Sequence, residues 1–220
     1  MKPKLVIIDY GIGNLKSLEQ VIKYFGITPI RTKEENIIMD ASHVILPGVG
    51  AFGHCVDKLH KLQLIKTIKD YINSEKYFLG ICVGMQLLFS RSFEFGENNG
   101  LNIIKGDVIK INSDKFKNEI KLPHIGWNKV FHPLKNEVWN NSIFKDFDND
   151  FYQYFVHSFY PDVEDKHNII GYINYYDQVL PVAIKKKNVY GFQFHPEKSG
   201  RHGLKILENF LQLDTDRIKT

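Results

Sequence analysis

Apolar and polar positions change rhythm along this chain. From Lys4 to Asp9 the run LVII is continuously apolar, as suits a strand buried on both faces. Asn14 to Phe25 then places Leu15, Leu18, Val21, Ile22 and Phe25 on one helical face. Val44 to Leu46 predicts the next strand, which runs into Pro47-Gly48-Val49-Gly50. Residues 53 to 74 carry Val56, Leu59, Leu62, Ile65, Ile68 and Ile72 at helical spacing, and Tyr77 to Ile81 reads as another buried strand. Strands that alternate with helices pair in parallel through right-handed crossovers. The second half keeps a different period, with strands expected over Gly100 to Ile111, Phe151 to Phe159, Ile169 to Tyr175, Leu180 to Lys185 and Val189 to Phe194. A final amphipathic helix runs from about Gly203 to Leu213. The expected fold class is therefore α/β: an open, mostly parallel sheet flanked by helices, with additional antiparallel strands in the second half. The stretch 112 to 150, rich in Asn, Asp and Lys, is the least regular and is expected to hold long loops.

Composition narrows this picture without redirecting it. The chain has 220 residues, 43% of them apolar, enough for one sizeable core, and 1–220 is expected to form one domain. The apolar run ahead of Asp9 is too short for a signal-peptide core or a membrane span, so a cytoplasmic protein is expected, with no membrane partner. Its two cysteines, Cys55 and Cys82, lack the close spacing of metal ligands and are expected to stay reduced; no metal is expected. The net charge of +4 is spread along the chain, and its densest run, Lys185-Lys186-Lys187, sits beside Asn188 in what reads as a hairpin turn. That leaves no footprint for nucleic acid.

Chemistry enters at the ends of the strands, where open parallel sheets gather their functional groups. Gly80-Ile81-Cys82-Val83-Gly84 has the form of a nucleophile elbow with cysteine as the nucleophile, followed by an apolar helical face from Met85, Leu88 and Phe89. Glycines flank a strained turn because backbone and substrate must approach it closely. A helix start after Cys82 would favour thiolate over thiol. Taken alone, these five residues fit a buried structural cysteine equally well. A thiolate needs a base, and His195-Pro196-Glu197 ends another apolar strand. Residues i and i+2 of an extended chain project to the same side about 6.5–7 Å apart, so Glu197 can orient the His195 imidazole. His43, His54 and His60 have no carboxylate so placed and read as surface or packing residues. The turn at Pro47-Gly48-Val49-Gly50 can supply a backbone N–H from Val49 which, with that of Val83, would form an oxyanion hole. Gly48 makes the Gly48-Val49 peptide easy to rotate, so the hole would be switchable. Cys55 has no base near it in sequence, and its replacement is expected to have little effect on catalysis.

These pieces, in this order, resemble the class I, triad-type glutamine amidotransferases, and within them the glutaminases that serve imidazole glycerol phosphate synthase. The resemblance runs through Asp9-Tyr10-Gly11-Ile12-Gly13-Asn14-Leu15, Leu46 to Gly50, Gly80 to Leu88, Leu122-Pro123-His124-Ile125-Gly126-Trp127-Asn128, Tyr154-Phe155-Val156-His157-Ser158 and Gly191 to Ser199. It implies Cys82 as nucleophile, His195 as acid and base, and Glu197 as orienter. Gly48, Gln86, His157 and Ser158 would hold L-glutamine, with no cofactor. It also implies a heterodimer with a (β/α)8-barrel cyclase that receives the ammonia, and makes Asn14, Trp127, Asn128 and Tyr154 candidates for the docking face. Val83 stands where the family usually has Leu, which leaves the backbone N–H in place. Ser92-Phe93-Glu94-Phe95-Gly96-Glu97 is closer in spelling to relatives that supply ammonia to surface-polysaccharide sugars, so the acceptor stays open between the two. Alternatives of another class are a γ-glutamyl peptidase and an inactive scaffold.

Overall fold

The computed structural model describes residues 3–112, 120–147 and 149–213. The apolar run Leu5–Ile8 forms strand β1, and all four of its side chains are buried. Each such side chain taken out of water contributes about 1.5–3 kcal/mol, so runs of this kind set the middle of the sheet. Helix α1 (Leu15–Tyr24) buries Leu15, Leu18 and Ile22. Strand β2 (Ile30–Thr32) and helix α2 (Glu35–Asp40) follow. Neither is visible in the hydrophobic pattern, because β2 lies at the sheet edge with Ile30 and Arg31 exposed and α2 buries only Ile38. Strand β3 (His43–Gly48) is buried throughout. The single periodic stretch 53 to 74 is two helices, α3 (Phe52–Lys61) and α4 (Leu64–Asn73), broken where Gln63 takes a left-handed φ of 57°. Strand β4 (Tyr77–Cys82) is again fully buried and runs into a single helical turn, α5 (Val83–Gln86).

In the second half, the expected strand from Gly100 is shorter, because the N–H groups of Gly100, Leu101, Ile103 and Ile104 turn back onto the carbonyls of residues 87–90. Two short strands, β5 (Arg91–Ser92) and β6 (Asn98–Asn99), precede β7 (Gly106–Lys110). The stretch expected to be long loops holds strand β8 (His124–Val130) and helix α6 (Lys135–Trp139). Trp139 anchors the latter, buried and donating its indole N–H to the Ile170 carbonyl at 2.7 Å. Residues 113–119 and 148 of that stretch lie outside the described residues. The predicted strand at Phe151 is β9 (Phe151–His157), with β10 (Phe159–Val163) directly after it. Strands β11 (Ile169–Tyr175), β12 (Gln178–Lys186) and β13 (Val189–Phe192) and helix α7 (Gly200–Leu211) follow among the described residues.

The seven-stranded sheet has the order β11-β12-β13-β4-β3-β1-β2. From β13 to β2 its pairs are parallel, and β11-β12 and β12-β13 are antiparallel, which is the α/β class expected. Strands β10, β7, β5 and β6 make a second sheet, and β8 and β9 pair as an antiparallel ribbon. The Lys187-Asn188 turn joins β12 to β13, with Lys187 paired to Glu75. Among the described residues no helix is long and apolar enough to cross a membrane.

Candidate active site

Placing β13 beside β4 decides the site. The register pairs Phe192 with Ile81 on one flank of β4 and Gly48 with Cys82 on the other. Cys82 therefore emerges at the carboxyl end of β4, between the end of β3 and the segment that follows β13. Its backbone is held at φ 55°, ψ −115°, a conformation that costs a non-glycine residue about 1–3 kcal/mol and is kept only where packing enforces it. That packing is glycine against glycine. A Cβ added at Gly84 would lie 1.9 Å from the Leu46 carbonyl oxygen, and one at Gly48 would lie 2.6 Å from the Gly84 nitrogen. Gly48 is thus required for close approach of β3 to the turn, a reason additional to the rotation expected from the sequence. The elbow helix is one turn long, and Leu88 and Phe89, although buried as expected, lie in the turn beyond it. Its dipole is correspondingly small.

His195 and Glu197 arrive from beyond β13. The His195 N–H donates to the Tyr154 carbonyl at 3.0 Å, and Ser199 ties the two segments together, donating its hydroxyl to the His195 carbonyl and accepting the Tyr154 N–H. The imidazole Nδ1–H donates to Glu197 Oε1 at 2.9 Å, with both side chains about 95% buried, and the other ring nitrogen is left for the Cys82 sulfur. Burial alone would lower the His195 pKa. Its contacts with Cys82 and Glu197 outweigh that and raise it to about 10.

A pocket of about 180 Å³ opens over the sulfur. Cys82, Val83, Val49, Gln86, His157, Ser158 and His195, all singled out from the sequence, line it. Gly48, with Asn14, instead borders a small cavity on the other side of His195 and Glu197. Three polar lining residues were given no role by the sequence reading. Gln193 is fully buried; its amide donates to Cys82 Sγ at 3.7 Å and accepts from Gln86 Nε2 at 2.9 Å. Glu94 accepts the Phe52 N–H at 2.7 Å and presents the pocket's acidic group, and Lys198 presents its cationic side chain. Gln193 stands two residues before His195, directly after β13, where an alternating pattern gives no sign that its amide meets the sulfur.

His157 donates from Nδ1 to the Phe159 carbonyl at 2.9 Å, so its Nε2 accepts from His124 Nδ1 at 3.0 Å. Burial pushes the pKa of His157 down to about 3 and that of His124 to about 4, and both rings are neutral at pH 7. His43, outside the pocket and stacked on Tyr77, is likewise lowered to about 4 by burial. Three histidines neutral in the fold and ordinary in the unfolded chain make an acid-labile protein. The unfolded state binds the extra protons as pH falls below about 6.5, whereas the folded state does not until about pH 3–4, so stability drops across that window by up to about 1.4 kcal/mol per pH unit for each ring. Thermal melts should therefore show a steep fall in Tm from pH 6.5 to 4.5. His43→Phe, which removes one titrating ring away from the pocket, should flatten that slope; an unchanged slope would rule out burial of neutral His43 as a cause.

The β8–β9 ribbon sorts the remaining residues. Trp127 pairs with Tyr154 on the outward face, rings 6.1 Å apart, alongside exposed Ile125 and Tyr152. Asn128 falls on the opposite face, its amide donating to the Asn174 carbonyl, so strand alternation separates it from Trp127. Cys55, expected from the sequence to matter little for catalysis, is fully buried with its thiol 3.6 Å from the Val49 carbonyl.

With this geometry in view, the chain's relationships are informative. Residues 6–213 match the family model described as glutamine amidotransferase class-I. Imidazole glycerol phosphate synthase subunit HisH 1 of Legionella pneumophila (strain Paris) is 42% identical over 210 residues, covering 94% of this chain and 98% of that relative. The subunit HisH of Bacillus cereus is 41% identical, covering 94% and 93%. Among solved structures, a chain of PurLQS from Thermotoga maritima superposes with a TM-score of 0.70 over 96% of this chain and 98% of its own, at 21% identity, a likeness of fold. The chain belongs to the class I glutamine amidotransferase family and, within it, to the imidazole glycerol phosphate synthase subunits HisH.

Proposed function

We propose that this protein is the glutaminase subunit of an imidazole glycerol phosphate synthase, working in the cytoplasm in histidine biosynthesis with a (β/α)8-barrel cyclase as its heterodimer partner. The observation that carries the chemistry is that Cys82 and His195 face one pocket while Glu197 bonds the far nitrogen of the His195 ring; kinship with the HisH subunits supports the acceptor. Cys82 as thiolate attacks the side-chain carboxamide carbon of L-glutamine, and the carbonyl electrons move onto oxygen, where the N–H groups of Val49 and Val83 would receive them. His195 delivers its proton to the nitrogen as the C–N bond breaks, releasing ammonia and leaving a thioester. Water, deprotonated by His195, then hydrolyses the thioester to glutamate and restores the thiolate. Glu197 keeps Nδ1 protonated throughout and so holds the reactive nitrogen toward sulfur.

Glu94 is placed for the α-ammonium of glutamine, with Ser158 available to its carboxylate. Gln86 and His157 spend their hydrogens on the pocket wall, which supports a role in shaping the pocket more than in direct donation. Ammonia freed into bulk water at pH 7 would be protonated and lost, which is the physical reason for a partner sealed over the site. The outward aromatic pair Trp127 and Tyr154 suits such an interface. The deciding experiment is reconstitution. The chain mixed with a histidine-pathway cyclase and its phosphoribulosyl formimino-carboxamide nucleotide should make imidazole glycerol phosphate from glutamine. Turnover only with a sugar-modifying partner would retain the glutaminase and replace the acceptor.

A further inference from the structure

Two buried side chains stand behind the segment that would carry the oxyanion hole. Tyr10, 2% exposed, donates its phenol hydrogen to the Pro47 carbonyl at 2.9 Å. Cys55, on α3 and fully buried, donates its thiol hydrogen to the Val49 carbonyl at 3.6 Å. The Tyr10 hydroxyl lies 3.0 Å from where a Gly48 Cβ would be, and Tyr10 and Cys55 are within reach of each other. Each has one hydrogen, and each spends it on a main-chain oxygen. Burial keeps both protonated, raising Cys55 to about 11 and Tyr10 further, so neither donor is lost at any ordinary pH.

The two carbonyls held in this way belong to the peptides on either side of Gly48-Val49. The middle peptide, which carries the Val49 N–H, is left to pivot between two fixed neighbours. We propose that Tyr10 and Cys55 are positioning residues for the oxyanion hole: they anchor the carbonyls of Pro47 and Val49 and so set where the Val49 N–H points. This rests on the glutaminase reading above. It reverses the expectation that Cys55 is idle, and gives the chain's second cysteine a mechanical task through a contact that sequence spacing cannot show.

The test separates aim of the hole from reactivity of the sulfur. Tyr10→Phe, Cys55→Ala and Cys55→Ser are compared with the parent, each assembled with the cyclase, for kcat and KM on glutamine. Affinity for glutamate γ-semialdehyde is measured as well: the Cys82 sulfur bonds to the aldehyde carbon, the C=O pair moves to oxygen, and that oxygen occupies the hole and takes the His195 proton. Alkylation of Cys82 by iodoacetamide, followed on the peptide by mass spectrometry, reports thiolate and access alone. Tyr10→Phe and Cys55→Ala should each lower kcat and semialdehyde affinity about 5- to 10-fold, the worth of one hydrogen bond, with KM and the alkylation rate within about 2-fold. Cys55→Ser keeps a donor and should retain most of the parent rate. A kcat that does not move, or one that falls only in step with alkylation, overturns the proposal. A parent chain that neither hydrolyses glutamine nor binds the semialdehyde overturns the glutaminase reading itself, a result distinct from failure of the anchor alone.

Discussion

Cys82→Ala is expected to abolish glutamine hydrolysis while leaving ammonia-dependent synthesis by the assembled complex intact. Removing the nucleophile of a triad costs at least about 10⁴-fold in rate, because His195 and the hole have nothing to activate or stabilise without a covalent adduct. The substitution is small and the site already packs closely: Cys82 is 5% exposed, and its backbone strain is enforced by Gly84 and Gly48 rather than by the sulfur. The fold should therefore survive, which the ammonia-driven reaction reports directly. The measurement is glutamate release and product formation with glutamine or with an ammonium salt as nitrogen source. Retained glutamine hydrolysis would mean that Cys82 is not the nucleophile and that the pocket acts by another route. Loss of both activities would point to collapse of the interface or the fold.

The second large effect concerns the hole. Cys82, His195 and Glu197 already meet in the isolated chain, with His195 bonded to Glu197 and facing Cys82, so slow basal turnover would have to come from elsewhere. Val49 is 39% exposed at the rim of the pocket, and Gly50 beside it has φ 88° with nothing within 4 Å of its would-be Cβ. This part of the segment is open to a partner, whereas Gly48 is wedged against Gly84 and Tyr10. One missing oxyanion donor typically costs about 10²- to 10³-fold in rate, or roughly 2.7–4 kcal/mol. The purified chain alone is thus expected to hydrolyse glutamine slowly, and an acceptor-loaded cyclase should accelerate it by at least about 10²-fold in kcat. Steady-state kinetics with and without the loaded partner decide this. Full activity of the lone chain would remove the switch and favour a free glutaminase or a γ-glutamyl peptidase.

Hydrophobic period alone identified β1, β3, β4, β9, β11, β12, β13 and α7, because a run of apolar side chains, or an alternation of them, has no other way to leave water. Motif spelling, not period, singled out Cys82, His195 and Glu197: the His-Pro-Glu ending is a local arrangement, whereas the strained turn at Cys82 is held in part by Gly48 from a different strand. Hydrophobic period could not announce β2, α2 or α6, whose few buried side chains carry no clear period, nor β8, held in a polar stretch by its partner β9. Which side chains meet at the sulfur was a matter for the tertiary structure. Gln193 touches Cys82 only because β13 inserts beside β4, and Trp127 meets Tyr154 only because β8 pairs with β9 in one register. Tyr10 and Cys55 come from the loop after β1 and from α3, and meet behind Gly48 only when those elements pack on β3. Periodicity states that a residue is buried; sheet order and register decide against what, and at this site that decides which buried hydrogens reach the backbone that would hold the oxyanion.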